Sequence, residues 1–409
     1  MPRIFIDISP LRDSSPFRRL WFSSLISGLG GQMSVFAVAF EVFSISKSSL
    51  AVGAVGLFVA VPSIVFAMFG GTVADAVDRR RLMIFVSLGQ LLVAGGLYMQ
   101  AAASVGKLWI IYLLVGSQAT LGAFIVPARR AFLRRLLSAD AMPAALALNL
   151  FSMHGAQIVG PALGGVAVAA LGLKVCFMVQ MIGFLASFLA ALSLPSVPPD
   201  EAAPRIGVAA IAEALEFLWS APLLRGAFLA DLSMTVLGTP MALFPAINSE
   251  RFGGLPETLG FLTTAVAIGG VVGTLCSGPL TGVVHKGRAL LFICAAWGLL
   301  IVLFGFSSNL WLALWFLALA GAADALAVTL GQTIVQNSTP DSLRGRASAA
   351  EHMVMMGGPQ LGGARAGLVG AWAGPTLGVV AGGLTTIGMI ALIFLAVPAL
   401  AKHADGRRS

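Results

Sequence analysis

Four charged side chains stand four or more residues inside stretches that are otherwise apolar: Glu41, Asp231, Asp324 and Arg365. A charge surrounded by hydrocarbon is unfavourable and is kept where it faces a water-filled cavity or a partner, so the search for chemistry starts there. Asp231 stands about nine residues into its stretch, roughly 13 Å deep at about 1.5 Å per residue. Asp324 stands deeper in its own. Both are candidates for carrying a proton or touching a cargo; a structural hydrogen bond to a neighbouring helix is the competing reading. Arg365 is expected to pair with Asp324 from the adjacent helix, which would make that Asp a poor proton carrier. Glu41, near one end of the first stretch, either belongs to the same pathway or reaches the lipid headgroups. Gln32, Gln118, Gln157, Gln332 and Gln336 are polar cavity candidates, with Trp297 and Trp315 beside them. His154 is either a proton switch or a satisfied contact between helices. Met353, Met355 and Met356 read as packing.

Other chemistries lack their residues. Cys176, Cys276 and Cys294 are odd in number and scattered, without C-x-x-C spacing, which argues against disulfides and zinc. His154, His285, His352 and His403 form neither H-E-x-x-H nor its inverse. No metal, cofactor or nucleophile constellation is expected, and the chain does not read as an enzyme.

The elements that must hold these residues follow from composition. Of 409 residues 58% are apolar and 10% charged, against roughly 25% charged in a soluble protein. So few polar side chains cannot cover a water-facing surface. Crossing about 30 Å of hydrocarbon takes about 20 apolar residues as helix. Twelve stretches qualify: 21–45, 49–74, 82–103, 108–127, 143–171, 174–194, 222–248, 257–284, 289–306, 310–336, 348–373 and 377–400. The first is too long for a signal-peptide core and has no small-x-small cleavage site. The expected fold class is an all-α membrane protein of twelve transmembrane helices.

Lys and Arg set the orientation, because positively charged loops stay in the cytoplasm. With the amino terminus inside, 20 of the 25 basic residues fall inside, Lys47, Lys107, Lys174 and Arg251 fall outside, and Arg365 lies within a stretch. Both termini are thus expected in the cytoplasm. The net charge of +8 belongs to these short basic runs and not to a soluble basic patch, so no nucleic-acid partner is expected.

The chain also repeats itself. Gly160-Pro161-x-x-Gly164-Gly165 recurs as Gly358-Pro359-x-x-Gly362-Gly363, and Gly71-Thr72-Val73-Ala74 leads into a basic loop as Gly278-Pro279-Leu280-Thr281 does. Asp140 corresponds to Asp341. Each match is offset by about half the chain, which indicates a duplicated six-helix unit. Parallel repeats of this kind place a substrate site between the halves near mid-membrane. The expected organisation is an N-terminal half over 1–194, a cytoplasmic connection over 195–221 and a C-terminal half over 222–409. Within the connection Ile211, Leu215 and Leu218 share a face opposite Glu213 and Glu216, as in a short amphipathic helix tethered on the membrane surface.

On these residues the chain resembles the major facilitator superfamily over essentially its whole length. Gly71-Thr72-Val73-Ala74-Asp75-Ala76-Val77-Asp78-Arg79-Arg80 resembles the superfamily pattern G-x-L-A-D-R-x-G-R-R, with Ala76 and Asp78 as departures. Asp75 at a helix C-terminus is unfavourable alone. It is expected to latch onto the helix end preceded by Arg344 and Arg346; a solvated loop acid is the alternative. Gly160, Pro161, Gly164 and Gly165 resemble the antiporter motif of the superfamily's exporters, in which small residues and a proline bend let two helices close over the cavity. Ordinary glycine-rich packing is the plainer explanation. Gln118 stands where many proton antiporters carry an Arg. Pro16-Phe17-Arg18-Arg19-Leu20-Trp21, Pro127 to Phe132 with Ala145 to Asn149, and Thr339 to Arg346 look closest to the enterobactin-exporter group, which includes macrolide-efflux relatives.

The resemblance implies a bacterial inner-membrane exporter, monomeric, working by alternating access, with protons as coupling ion and a siderophore or similar metabolite as cargo. Three intramembrane acids against one Arg suit neutral or cationic drugs better than an anionic catecholate, so multidrug or macrolide efflux is the alternative. A receptor or channel without coupled transport would need neither the repeat nor paired gate motifs.

Overall fold

The protein is described from a computed structural model, over residues 7–195, 219–339 and 341–402, with side chains left aside at 67–76, 126–128, 130–131, 133–135, 139, 281, 341–354, 356 and 402. The described residues form helices joined by short turns. Those of membrane length are α1 (Ser15–Ser46), α2 (Ser49–Ala76), α3 (Arg79–Ala102), α4 (Leu108–Leu136), α5 (Met142–Leu171), α6 (Lys174–Leu192), α7 (Pro222–Arg251), α8 (Pro256–Leu275), α9 (Lys286–Phe306), α10 (Leu310–Ser338), α11 (Asp341–Ala373) and α12 (Pro375–Ala396). Each expected apolar stretch therefore has its helix. Eleven of them are apolar and long enough to cross a membrane, and α11, at 33 residues, matches them in length. The expected amphipathic helix of the 195–221 connection lies outside the described residues.

The chain divides into two compact units, Met1–Ile45 with Val61–Ile206, and Ser46–Ala60 with Gly207–Ser409. The first part of α2 thus belongs to the second unit, where Gly53 and Gly56 let its backbone meet that of α11 at Gln360 and Gly363.

In the first unit α3 packs on α4 and α6. Helices α1 and α6 touch backbone to backbone: a Cβ at Gly183 would stand 2.5 Å from Ser27 Cα, and one at Gly30 would stand 2.6 Å from Gln180 Cα. Without lipid-excluding hydrophobic force between helices, such close van der Waals contact is what holds them. Two of the segments that resemble the exporter group, at the start of α1 and across the α4–α5 connection, meet here. Phe17 and Trp21 of α1 pack with Ala145 and Leu148 of α5, and the Trp21 indole N–H donates to the Leu148 carbonyl at 3.1 Å. Leu20 and Phe132 meet Met83, Ala191 and Leu194 in a neighbouring cluster.

The second unit packs α10 against α8 and α9, and α12 against α9. Arg251, ending α7, donates to the Gly305 and Ser307 carbonyls at 2.7 and 3.0 Å and to Thr376 Oγ1, joining the end of α9 to the start of α12.

The repeat is visible in the packing within each unit. Gly160 and Gly164 of α5 face Gln32 and Phe36 of α1, and Gly358 and Gly362 of α11 face Thr235 of α7. The same motif thus seats the fifth helix of each half on its first.

Candidate functional site

Helix α10 turns one face inward. Asp324, Ala327, Val328, Gly331, Gln332, Val335 and Gln336 lie on one helical face, where residues three and four apart fall together. That face lines a cavity of about 220 Å³ in the second unit. Helix α7 supplies Ala227, Phe228, Asp231 and Met234; α9 supplies Leu290 and Cys294; α11 supplies Met355.

Asp231 stands just before a deformation of α7. From Ser233 to Gly238 the helix widens into a π turn, and Thr239-Pro240 follows. Pro240 has no N–H to continue the ladder, which leaves the carbonyl four or five residues before it without that partner. Three hydroxyls add hydrogen bonds along this stretch. Thr235 Oγ1 donates to the Asp231 carbonyl at 2.9 Å, Thr239 Oγ1 to the Thr235 carbonyl at 2.8 Å, and Thr386 Oγ1 of α12 to the Ser233 carbonyl at 3.0 Å. In a bilayer no water is at hand for those groups. The Thr386 bond ties the π turn to α12.

Asp231 and Asp324 are brought together. They line one cavity, and Cys294 lines it with them. Asp324 is half-buried and lines this cavity. Gln332 and Gln336 line it as expected. No Lys, Arg or His is among its described lining residues.

The expected pairing of Arg365 with Asp324 is corrected. Arg365 Nη2 lies beside Gly382 of α12, close to the carbonyls of Leu237 and Gly238, and its Nε is buried without a hydrogen-bond partner. Position 365 is ten residues beyond Met355, the α11 residue in the cavity, or roughly 15 Å along the helix. Its charge belongs to another level of the unit. Trp297 and Trp315 are also absent from the cavity: Trp297 is buried against Gly238, and Trp315 is 66% exposed.

The other candidates are in the first unit. Glu41 does not reach outward. It is buried on α1, and Gln100 Nε2 of α3 donates to both its carboxylate oxygens at 3.0 Å. Gln32 backs onto Gly160, Gln118 is half-buried with its Oε1 unpartnered, His154 is half-buried and Gln157 exposed. Arg79 is buried at the start of α3. Arg80 donates to the Leu192 carbonyl at the end of α6, at 2.7 Å, and Asp78, the departure from the superfamily pattern, caps α3 by accepting from the Arg80 and Arg81 amides. Pro161 and Gly165 are buried within α5. The side chain of Asp75 and those of Arg344 and Arg346 lie outside the described residues, as does the local packing of Gly71.

Sequence reasoning missed Gln100, Phe228, Met234 and Cys294, and it read Met355 as packing. Gln100 carried a usable signal, an amide inside an apolar stretch. The others are apolar or sulfur side chains whose cavity role depends on which face of each helix turns inward.

Comparison with known proteins agrees with this architecture. The model of a family described as transmembrane secretion effector, of the MFS type, matches residues 6–408. A relative from Citrobacter koseri named Enterobactin exporter EntS is 27% identical over 95% of this chain and 94% of its own length. One of the same name from Escherichia coli O1:K1 is 26% identical with the same coverage. Among solved structures, the nucleoside transporter NupG (D323A mutant) superposes with a TM-score of 0.75 at 15% identity, over 95% of this chain and 100% of that one. A bacterial homologue of the iron transporter ferroportin in an inward-facing state gives 0.69 at 13% identity, over 95% and 99%. These two likenesses bear on the fold. The chain belongs to the transmembrane secretion effector family of major facilitator superfamily transporters.

Proposed function

We propose that the chain is a secondary active exporter that carries a small, siderophore-like organic molecule outward across the bacterial inner membrane in exchange for protons. The observation that supports this best is likeness along 95% of the chain to relatives named as enterobactin exporters. In this reading the six-helix halves, 1–194 and 222–409, rock as a monomer around a shared pathway, tethered by 195–221, with both termini in the cytoplasm. Asp75 latches to the helix end at Arg344 and Arg346 when the cytoplasmic side is shut, flanked by Gly71, Arg79 and Arg80. The Gly160–Gly165 motif closes α5 on α1 to seal the cavity. Protons ride on intramembrane acids, for which Asp231, Asp324 and Glu41 are available.

A second reading, efflux of neutral or cationic amphipathic drugs, is favoured by one observation: the acidic cavity has no base in its described lining. Everted membrane vesicles containing the chain separate the two. Accumulation of an iron-free siderophore that stops when the pH gradient is collapsed supports the first. Accumulation of a cationic dye alone moves the cargo to drugs, and transport indifferent to the gradient rules out antiport.

A further inference from the structure

Asp231 and Asp324 share one cavity of the second unit. No Lys, Arg or His is among its described lining residues, and Arg365, the cation of this unit that sequence reasoning assigned to it, stands against Gly382. Among the described residues neither carboxylate takes a hydrogen bond or an ion pair, and Asp324 is enclosed by the unit with its free side toward the cavity. Two like charges in a low-dielectric enclosure raise each other's energy. A cation that enters relieves both at once.

The rest of the wall selects what kind of cation. Phe228 offers an aromatic ring, Met234, Met355 and Cys294 offer polarisable sulfur, and Gln332 offers an amide. An alkylammonium group is held well by charge, an aromatic face and soft apolar contacts. A bare metal ion needs several ligands converging at bonding distance, and no group of three or more His, Cys, Asp or Glu does so among the described residues. At about 220 Å³ the cavity is smaller than the pockets of roughly 300–1,000 Å³ that take whole drug-sized ligands. It suits one group of a larger molecule.

The geometry points to a subsite in the C-terminal unit for the organic ammonium group of the cargo, held between Asp231 and Asp324. This rests on the export reading and, of its two cargo classes, deepens the second: the cargo carries a protonated or quaternary amine. A wholly anionic catecholate does not fit the assignment.

The test is equilibrium binding of three probes of similar size to the purified full chain in detergent, by calorimetry. Benzyltrimethylammonium is a permanent cation, neopentylbenzene is its neutral isostere and benzenesulfonate is an anion. The cation is expected to bind at least about ten-fold more tightly than the neutral isostere, and the sulfonate not at all. Asp324→Asn and Asp231→Asn each abolish that preference, whereas Asp324→Glu, which keeps the charge, retains it. The Glu variant, with monodispersity on size-exclusion, distinguishes lost charge from lost fold. Equal binding of cation and neutral isostere, preference for the sulfonate, or a cation preference untouched in both Asn variants overturns the assignment. Uptake into everted vesicles is read separately. Cation binding without any driven uptake would defeat the export reading and leave the subsite standing. Driven uptake of an iron-free catecholate by a chain that shows no cation preference would do the reverse.

Discussion

Asp231 of α7 and Asp324 of α10 line one cavity, whose described lining holds no Lys, Arg or His. Residues that share an environment do not contribute independently. Asp231→Asn and Asp324→Asn are each expected to lower transport by about ten-fold or more, and the double variant to be little worse than the more damaging single. Initial uptake rates in everted vesicles, normalised to protein in the membrane, measure this. Multiplicative losses would mean that the two acids serve separate steps.

Glu41 and Gln100 form a buried contact between α1 and α3. Replacing the amide by Leu takes the Gln100 donor from a buried carboxylate, expected to destabilise by about 2 kcal/mol or more. Gln100→Leu should therefore lower the melting temperature in detergent, and Glu41→Leu combined with it should recover much of the loss by removing the group that suffers. A double variant no more stable than Gln100→Leu would show that the contact contributes packing alone.

Glycines at helix contacts are expected to differ sharply from those elsewhere. Gly183→Ala puts a methyl 2.5 Å from Ser27 Cα, so α1 and α6 must part, with a loss of about 1–3 kcal/mol from overpacking. Gly122→Ala, where nothing lies within 4 Å, should be neutral or slightly stabilising. Thermal shift of the two purified variants decides it.

The π turn of α7 is held by a hydroxyl from another helix, Thr386 Oγ1 to the Ser233 carbonyl at 3.0 Å. Thr386→Val keeps the shape and removes the donor. A loss of about 1 kcal/mol in stability is expected, with transport impaired more than by Thr385→Val. The Thr385 hydroxyl bonds only within its own helix, to the Ala381 and Gly382 carbonyls. Equal transport by the two variants would remove the π turn from the positioning of Asp231.

Much of the fold was legible because hydrocarbon leaves a chain little choice. Each apolar stretch satisfies its backbone as a helix, and the repeated Gly-Pro-x-x-Gly-Gly marked the fifth helix of each half before any packing was known. Asp231, Asp324, Gln332 and Gln336 stood out for the same reason, as polar groups where polarity is unfavourable. Cys294, Phe228 and Met355 did not, since an apolar side chain in an apolar stretch carries no mark of the face it occupies. Arg365 was misplaced because opposite charge on neighbouring helices says nothing of depth. Its level along α11 puts it beside Gly382 instead.

The most direct measurement is accumulation of cargo in liposomes containing only the purified chain, under an imposed pH gradient. Benzyltrimethylammonium is the cargo used, and wild type is compared with the Asp231→Asn, Asp324→Asn double variant. The account predicts uptake against the concentration gradient by the wild type, accompanied by proton movement in the opposite direction and lost in the double variant. Gradient-driven accumulation that is the same in both proteins, or none by a wild type that binds the cation, would contradict it.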